Sequence, residues 1–207
     1  MKLLLKNLFV AALLLVGAST LEAAEQGKEY KRINPQQSVS GNKIEVLEFF
    51  FYGCSHCFDL QKSLSGWHKA IPKDVELIYV PAIFRESMEP LARTLYALES
   101  MGQLHQQHDA LYLAINVNGV ELKDEAAISD FLAKNGVDRT KFSAAYNSFT
   151  VQSKVTRAKQ MTRSYGIQGT PTLIVDGKYL ITGLFPEDTI RVLNEVIAVA
   201  RKERGKR

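Results

Sequence analysis

The spacing of apolar and polar residues changes along the chain, and the first part predicts alternating strands and helices. Residues 29–33 predict a short edge strand. Residues 43–52 are almost continuously apolar and rich in β-branched and aromatic side chains, which predicts a central strand buried on both faces. Residues 58–69 have apolar side chains at helical spacing, and Ile71-Pro72 ends that helix. Residues 75–80 predict a second buried strand, so the two strands should form a parallel pair joined by a helical crossover.

The middle of the chain changes to a helical pattern. Pro90 suits the first turn of a helix, and residues 91–98 repeat their apolar positions at the helical period. Further helices are predicted over 104–114, from Asp124-Glu125 to a stop at Asn135-Gly136, from Thr140, and over 151–164. This block of helices separates the first strand pair from the strands that follow.

Strand signals return after Gly166. Residues 172–175 and 178–181 are apolar runs joined by Asp176-Gly177, which is the strongest hairpin signal in the chain. A final helix with regularly spaced apolar side chains begins at Pro186. The pattern as a whole predicts an α/β core that is split by a helical insertion.

The first residues have the layout of a secretory signal peptide. Lys2 and Lys6 precede a leucine-rich stretch, and small residues follow it as far as Ala23-Ala24. The apolar stretch is shorter than the about 20 residues that a membrane-spanning helix needs. We therefore expect export with removal of residues 1–23 rather than a permanent anchor.

Composition and charge narrow the function classes. Apolar residues make up 46% and charged residues 23% of the chain, which is ordinary for a globular protein with a sizeable core. The formal net charge of +4 would fall to about +3 on loss of the signal peptide, and so small an excess does not indicate nucleic-acid binding. The basic end, residues 201–207, is expected to be a solvated and frayed terminus.

The two cysteines of the chain lie in Cys54-Ser55-His56-Cys57, where the predicted central strand passes into a helix. A helix N-terminus stabilises an anion, so the Cys54 thiol should ionise easily, and the thiolate is the form that attacks disulfides. A protonated His56 would favour the same thiolate. A second sulfur one helical turn later can close a disulfide and release the first from a mixed intermediate. These residues predict a redox dithiol.

Two other interpretations of the cysteine pair have less support. A structural zinc site takes four ligands, and the four histidines that could complete it are not at zinc-finger spacing: His56, His68, His105 and His108. An inert disulfide would close so short a loop that it would remove little entropy from the unfolded chain. No metal is therefore expected. His105 and His108 are expected on a solvated helix face, with a shared metal as the lesser alternative.

Glu48 is a carboxylate within the apolar run of the central strand. In such a place the group must be protonated, paired or hydrated, and desolvation should raise its pKa. From the residues alone, a functional role and a structural position are equally open.

Together, the order of elements, the C-x-x-C with its central histidine, the helical insertion and Gly169-Thr170-Pro171-Thr172 resemble the DsbA family of bacterial thiol:disulfide oxidoreductases. The segment Glu48-Phe49-Phe50, six residues before Cys54, also matches. The resemblance covers nearly the whole mature chain. It implies an α/β, thioredoxin-like fold with an inserted helical domain, divided into a signal peptide (1–23), a first thioredoxin-like part (24–86), a helical insertion (87–160) and a second thioredoxin-like part (161–207).

The resemblance also implies a role for individual residues. Cys54 would be the exposed nucleophile and Cys57 the sheltered resolving thiol of one redox-active disulfide. His56 would stabilise the Cys54 thiolate, and Glu48 would move a proton to or from Cys57. Thr170-Pro171 would form a cis-proline turn beside the sulfurs, where an extended client chain pairs with the backbone.

The implied function is that of a protein-disulfide oxidoreductase in the periplasm of a Gram-negative bacterium. Such an enzyme introduces disulfide bonds into reduced, unfolded or folding exported proteins, and a DsbB-like membrane quinone oxidoreductase reoxidises it. It needs neither a metal nor an organic cofactor, does not bind nucleic acid, and is expected to be a monomer.

Two departures from the family pattern keep alternatives open. Many members have proline where Ser55 stands, and this difference leaves the oxidising strength of the protein open. Ser55 is also one of the residues that are expected to bind the client. Threonine before the cis-proline, as in Thr170-Pro171, is also common in the isomerase branch. Those isomerases have an N-terminal dimerisation domain, for which we expect no room in the roughly two dozen residues between the likely cleavage point and the first strand region. The alternatives are a periplasmic reductase or isomerase and, with less support, a non-catalytic periplasmic chaperone.

Overall fold

The computed structural model of the protein describes residues 23–39 and 41–205. Nearly all of the predicted signal peptide, residues 1–23, lies outside the described residues. Within the described ranges, no helix combines the length and the apolar character needed to cross a membrane.

Strands and helices follow the order predicted from the sequence. The strands are β1 (Lys31–Arg32), β2 (Ile44–Phe50), β3 (Val75–Pro81), β4 (Thr172–Val175) and β5 (Tyr179–Thr182). The helices are α1 (Ser55–Lys69), α2 (Glu89–Ser100), α3 (Leu104–Asn116), α4 (Glu125–Lys134), α5 (Arg139–Tyr146), α6 (Phe149–Ser164) and α7 (Pro186–Arg204), and a 3₁₀ turn (Glu86–Met88) leads into α2. Each predicted helix begins within one turn of its observed start.

The strands form one sheet in the order β1-β5-β4-β2-β3. Strand β2 pairs in parallel with β3 and antiparallel with β4, so β2-α1-β3 is the predicted crossover unit. Helices α1 and α7 cover one part of the sheet, and helices α2 to α6 cover another. The buried apolar side chains therefore form two clusters. This burial on both faces explains why β2 is almost continuously apolar.

The helical block, α2 to α6, is inserted between β3 and β4, and the predicted thioredoxin-like fold with a helical insertion is confirmed. Helix α2 packs against α3, α5 and α6, and α3 also packs against α1. The predicted end of the insertion, residue 160, falls inside α6, which continues to Ser164. The division of the chain at residues 86 and 160 stays a prediction.

The predicted hairpin between β4 and β5 is confirmed. Asp176 and Gly177 have φ values of 54° and 63°, the left-handed conformation that a tight hairpin requires. The Lys178 N–H donates to the Val175 carbonyl at 3.0 Å and closes the turn. A side chain at Gly177 would collide with the Gln37 carbonyl oxygen, so only glycine fits there.

The expectation that the chain end is frayed is wrong for residues 201–205. Helix α7 continues to Arg204, whose guanidinium nitrogen Nε donates to Asp176 at 2.9 Å. The ammonium of Lys178, a side chain only 2% exposed, lies 2.8 Å from Asp176 and 3.2 Å from Glu203. The partners of Arg204 and Glu203 include the hairpin residues Asp176 and Lys178, and Arg201 pairs with Asp74. All of these partners are distant in sequence, so the charge run alone was misleading.

This buried ion cluster predicts a large effect of Lys178→Met. The substitution leaves the buried Asp176 carboxylate with Arg204 as its remaining cation, so the free energy of unfolding should fall by about 3 kcal/mol. Urea unfolding followed by circular dichroism measures the change. Lys202→Met, on the exposed side of the same helix, is the matched control and should change stability by less than about 0.5 kcal/mol. Equal effects of the two substitutions would contradict the proposed anchoring.

Candidate active site

The loop after β2 places the two cysteines at the beginning of α1. Cys54 occupies the N-cap position with extended backbone angles (φ −98°, ψ 116°), and its carbonyl accepts the first helical hydrogen bond from Phe58 at 3.0 Å. Its sulfur therefore lies at the positive end of the helix dipole. Cys57, in the first turn of the helix, is completely buried.

The surroundings of Cys54 favour its thiolate. The half-buried thiol donates to the Thr170 carbonyl oxygen at 3.3 Å, a contact that by itself favours the protonated form. Stronger interactions outweigh it: a hydrogen bond from the Cys57 thiol, the side chain of Thr170, and the backbone N–H groups of Cys57 and His56. Despite partial burial, they lower the pKa of Cys54 to about 5. The reduced site therefore holds an ionised sulfur at neutral pH.

Cys57 has the opposite character. Its hydrogen bond to Cys54, its burial and the neighbouring charges of Glu48 and Cys54 raise its pKa above the ordinary value of a thiol. Both cysteines are free in this structure. One sulfur is thus an accessible thiolate and the other a buried thiol, which is the asymmetry that a nucleophile and a resolving thiol need.

The loop before β4 forms the second wall of the site. The peptide bond between Thr170 and Pro171 is cis, as the resemblance implies. Because β4 pairs with β2, this loop lies at the carboxyl end of β2, beside Cys54. The Asn34-Pro35 bond is also cis, and the sequence analysis missed it because no local pattern signals it.

Glu48 lies in β2 below the cysteines. It is completely buried, and neither carboxyl oxygen has a hydrogen-bond partner. Burial, and after it the charge of Cys54, raise its pKa to about 8. The Glu48 carboxyl is therefore mostly protonated at neutral pH, and neither paired with a cation nor hydrated.

Ser55 and His56 are exposed in the first turn of α1, next to Cys54. The effect of His56 on the Cys54 thiolate comes through its backbone N–H. The role predicted for its imidazole stays a prediction.

The expectation of a solvated histidine face holds for His105, which is exposed, but is wrong for His108. His108 is 4% exposed because α3 packs this side against the sheet, where the rings of Phe50, Tyr79 and Tyr112 surround it. Burial lowers its pKa to about 4, so its ring is neutral. Among residues 23–39 and 41–205, no group of three or more His, Cys, Asp or Glu side chains is placed to hold a metal ion.

Helix α3 also supports the loop before Cys54, which the sequence analysis did not anticipate. The Tyr52 hydroxyl lies 2.7 Å from His108 Nδ1, and Asn116 Nδ2 donates to the Tyr52 carbonyl at 2.8 Å. These contacts join the loop after β2 to a helix more than fifty residues away in sequence, so no local signal could have revealed them.

A groove adjoins the site on the side of the cis-proline loop. Gly166, Ile167 and Gln168 border it, and Ile83 and Phe84 also line it. Phe84 is 46% exposed, so the groove presents an aromatic surface to solvent.

Similarity to known proteins identifies the family of this chain. A sequence model of the DSBA-like thioredoxin domain matches residues 45–197. The thiol:disulfide interchange protein DsbA of Pseudomonas syringae is 32% identical over 203 residues, which cover 93% of this chain and 95% of that protein. The protein of the same name from Pseudomonas aeruginosa is 34% identical, over 95% of this chain and 98% of its own length. The crystal structure of oxidoreductase DsbA from Xylella fastidiosa matches with a TM-score of 0.82 at 30% identity, and the match covers 87% of this chain and 99% of that one. The chain therefore belongs to the DsbA family of thioredoxin-fold oxidoreductases, which act on disulfides.

Proposed function

We propose that the protein is a periplasmic oxidase that introduces disulfide bonds into exported proteins through Cys54 and Cys57. The observation that carries this proposal is the lowered pKa of Cys54, about 5. An ionised, stabilised sulfur makes the opened dithiol favourable relative to the disulfide, so the disulfide is a strong electron acceptor. The name of the relatives, thiol:disulfide interchange protein, supports the same chemistry.

The exchange proceeds in two displacements. A client thiolate attacks the Cys54 sulfur of the oxidised enzyme; a client–Cys54 bond forms, the Cys54–Cys57 bond breaks, and Cys57 leaves with the electron pair. The buried Cys57 sulfur takes a proton from the Glu48 carboxyl, because its raised pKa disfavours the anion. A second client thiolate then attacks the client sulfur, and Cys54 leaves as a stable thiolate. Two electrons pass from the client to the enzyme.

The geometry supports a role in client binding for the remaining residues. Cys54 is partly exposed while Cys57 is buried, so a bulky polypeptide reaches only the first sulfur. Ser55 and the Thr170-Pro171 turn flank Cys54, where they would hold the client backbone during the exchange. His56, exposed in the same turn, would add its positive charge when protonated.

Export and recycling complete the proposal. The signal-peptide layout of residues 1–23 supports delivery to the periplasm of a Gram-negative bacterium. Clients would be reduced, unfolded or folding exported proteins. A DsbB-like quinone oxidoreductase in the membrane would accept the two electrons and restore the disulfide, and the enzyme would act as a monomer without metal or organic cofactor.

A periplasmic reductase or isomerase is the second candidate, favoured by the threonine before the cis-proline. Acid trapping and alkylation in cells separate the two, because an oxidase is held mostly as the disulfide and a reductase or isomerase mostly as the dithiol.

Cys54→Ser should abolish oxidation of a reduced two-cysteine peptide, since the variant has no sulfur for the client to attack. Cys57→Ser is the matched variant: given the disulfide form of the same peptide, its Cys54 thiolate should open that disulfide, one peptide sulfur leaving as a thiolate, and accumulate the mixed disulfide because the resolving thiol is missing. Mass spectrometry detects both outcomes. Retained oxidation in Cys54→Ser would end the proposal, and full cellular function after both cysteines become alanine would favour a non-catalytic chaperone.

The reduced protein should be more stable than the oxidised protein, with a defined pH dependence. The Cys54 pKa is about 5 in the folded protein, below the about 8.5 of an unfolded thiol. The extra stability is fully present above pH 8.5 or so, declines as the pH falls towards 5, and is absent below it. Denaturant unfolding of both redox forms between pH 4 and pH 9, with equilibration in glutathione buffers, measures the difference. A more stable oxidised form would refute the oxidase.

Glu48→Gln should remove a pH dependence from the stability of the oxidised protein. Burial, the largest cause of the raised pKa of Glu48, persists when the two cysteines are bonded, so the oxidised wild type should lose roughly 3 kcal/mol as the pH rises from about 4.5 to about 7, where only the unfolded state ionises. The variant should lack this decline in urea unfolding. Glu187→Gln, at an exposed position, is the control and should keep the wild-type slope. An unchanged slope in Glu48→Gln would place the titration elsewhere.

A further inference from the structure

A short loop, Phe51 to Gly53, connects the end of β2 to Cys54, and its path decides where the N-terminus of α1 lies. A backbone hydrogen bond from the Cys54 N–H to the Phe51 carbonyl, at 3.0 Å, closes the turn. Such a bond is weak on its own, so the turn needs further contacts to keep one conformation. Gly53 is exposed and Phe51 is partly buried, whereas the Tyr52 side chain is only 1% exposed. Tyr52 is therefore the residue through which the interior holds the loop.

Asn116, the last residue of α3, holds the backbone of this loop. Its amide nitrogen Nδ2 donates to the Tyr112 carbonyl of its own helix at 2.9 Å and to the Tyr52 carbonyl at 2.8 Å. An asparagine amide has two hydrogens, so each carbonyl receives one of them. The bond within the helix fixes the orientation of the amide, and the other hydrogen is thereby directed at the loop.

The side chain of Tyr52 is held from the same helix. Its hydroxyl lies 2.7 Å from His108 Nδ1, and its ring centre lies 5.2 Å from that of His108 and 5.0 Å from that of Tyr112. Burial lowers the pKa of His108 to about 4, so this contact involves a neutral ring at pH 7. His108, Tyr112 and Asn116 are spaced four residues apart and form one stripe of α3. One stripe of α3 thus holds both the carbonyl and the hydroxyl of Tyr52.

Helix α1 is tied to α3 as well. Gln61 of α1 donates to Asp109 of α3 at 2.9 Å, and the two helices pack together. The loop before Cys54 and the helix after it are therefore fixed to the same element. Between these two attachments lies the first turn of α1, whose N–H groups hydrogen bond the Cys54 sulfur. The bonds keep their geometry only while loop and helix keep their relative positions.

We propose that Asn116 and the Tyr52–His108 pair are positioning residues of the active site, which hold the loop before Cys54 so that the N–H groups of α1 stay directed at its sulfur and stabilise the thiolate. They act through the backbone of the loop. The backbone of Phe51, in the same loop, also hydrogen bonds the Cys57 sulfur, so a displaced loop changes the surroundings of both sulfurs. The redox consequence rests on the function proposed above, whereas the effect on the thiolate does not.

Four titratable side chains surround the Cys54 sulfur: Cys57 and His56 on α1, Glu48 on β2 and Tyr112 on α3. Burial raises the pKa of Glu48 to about 8 and that of Tyr112 above its ordinary value. The hydrogen bond to Cys54, together with burial, raises the pKa of Cys57. These three groups therefore keep most of their protons while Cys54 ionises near pH 5. The exposed imidazole of His56 is common to all the variants, so a difference between variants reports the hydrogen bonding of the sulfur.

Asn116→Leu tests the proposal, because leucine has the same branching at Cγ and lacks the two donors. In the reduced protein the Cys54 pKa should rise from about 5 to about 6, since a displaced loop weakens hydrogen bonds to a charged acceptor. The ultraviolet absorbance of the thiolate, followed from about pH 3 to about pH 9, measures this change. At pH 7 the equilibrium with glutathione should move about tenfold towards the protein disulfide. Tyr52→Phe, which loses the contact with His108 and keeps the carbonyl bond, should raise the Cys54 pKa by a smaller amount.

Asn135→Leu is the matched control. Asn135 ends α4 with the same local bond, from Nδ2 to the Phe131 carbonyl four residues earlier at 2.8 Å, and in the described part of the chain its side chain bonds only within α4. A purely structural loss lowers the stability of both redox forms, so this variant should keep the wild-type Cys54 pKa and glutathione equilibrium. Circular dichroism verifies that each variant is folded.

A wild-type Cys54 pKa in folded Asn116→Leu or in folded Tyr52→Phe overturns the proposal, and so does an equal rise in Asn135→Leu. The proposed function fails separately. If the wild-type disulfide is no more oxidising than glutathione while Asn116→Leu still raises the Cys54 pKa, the oxidase is refuted and the positioning role is supported.

Discussion

The ionised sulfur of Cys54 at the first turn of α1 is the interaction on which the chemistry depends. A thiolate there receives hydrogen bonds from the Cys57 thiol and from backbone N–H groups that a helix N-terminus leaves unpaired. None of these donors can stabilise the sulfur while it is bonded to Cys57. The same groups therefore favour the open dithiol over the closed disulfide, and this preference supports the proposed oxidase function.

Strand β2 brings the other components to this point. Its carboxyl end delivers Cys54 to α1, its pairing with β4 sets the Thr170-Pro171 turn against the sulfur, and its interior holds Glu48. The pairing with β3 places Tyr79 next to that carboxyl. One strand thus fixes Cys54, the Thr170-Pro171 turn and Glu48 in a single register, and a shift of one residue would turn Glu48 to the opposite face.

Features encoded by short segments were predictable from the sequence. The spacing of Cys54 and Cys57 after an apolar run indicates a dithiol at a helix start, and Asp176-Gly177 indicates a hairpin, because each depends on local backbone geometry. The burial of His108 and the anchoring of Arg204 were not predictable. Both arise when a helix packs against residues far away in the chain, and a periodic pattern shows which face is apolar but not which polar side chains that face includes.

Glu48 shows that the site is built at the expense of stability. A buried carboxyl without a hydrogen-bond partner is unfavourable in either protonation state, and an apolar residue would pack in β2 without that penalty. The penalty falls in β2, near the Cys57 thiol, whose own anion is disfavoured. A protonated acid beside a leaving sulfur that must be protonated reduces the charge developed in the buried interior. The burial of Glu48 beside Cys57 thus has two consequences: it lowers local stability, and it favours the proposed opening of the disulfide.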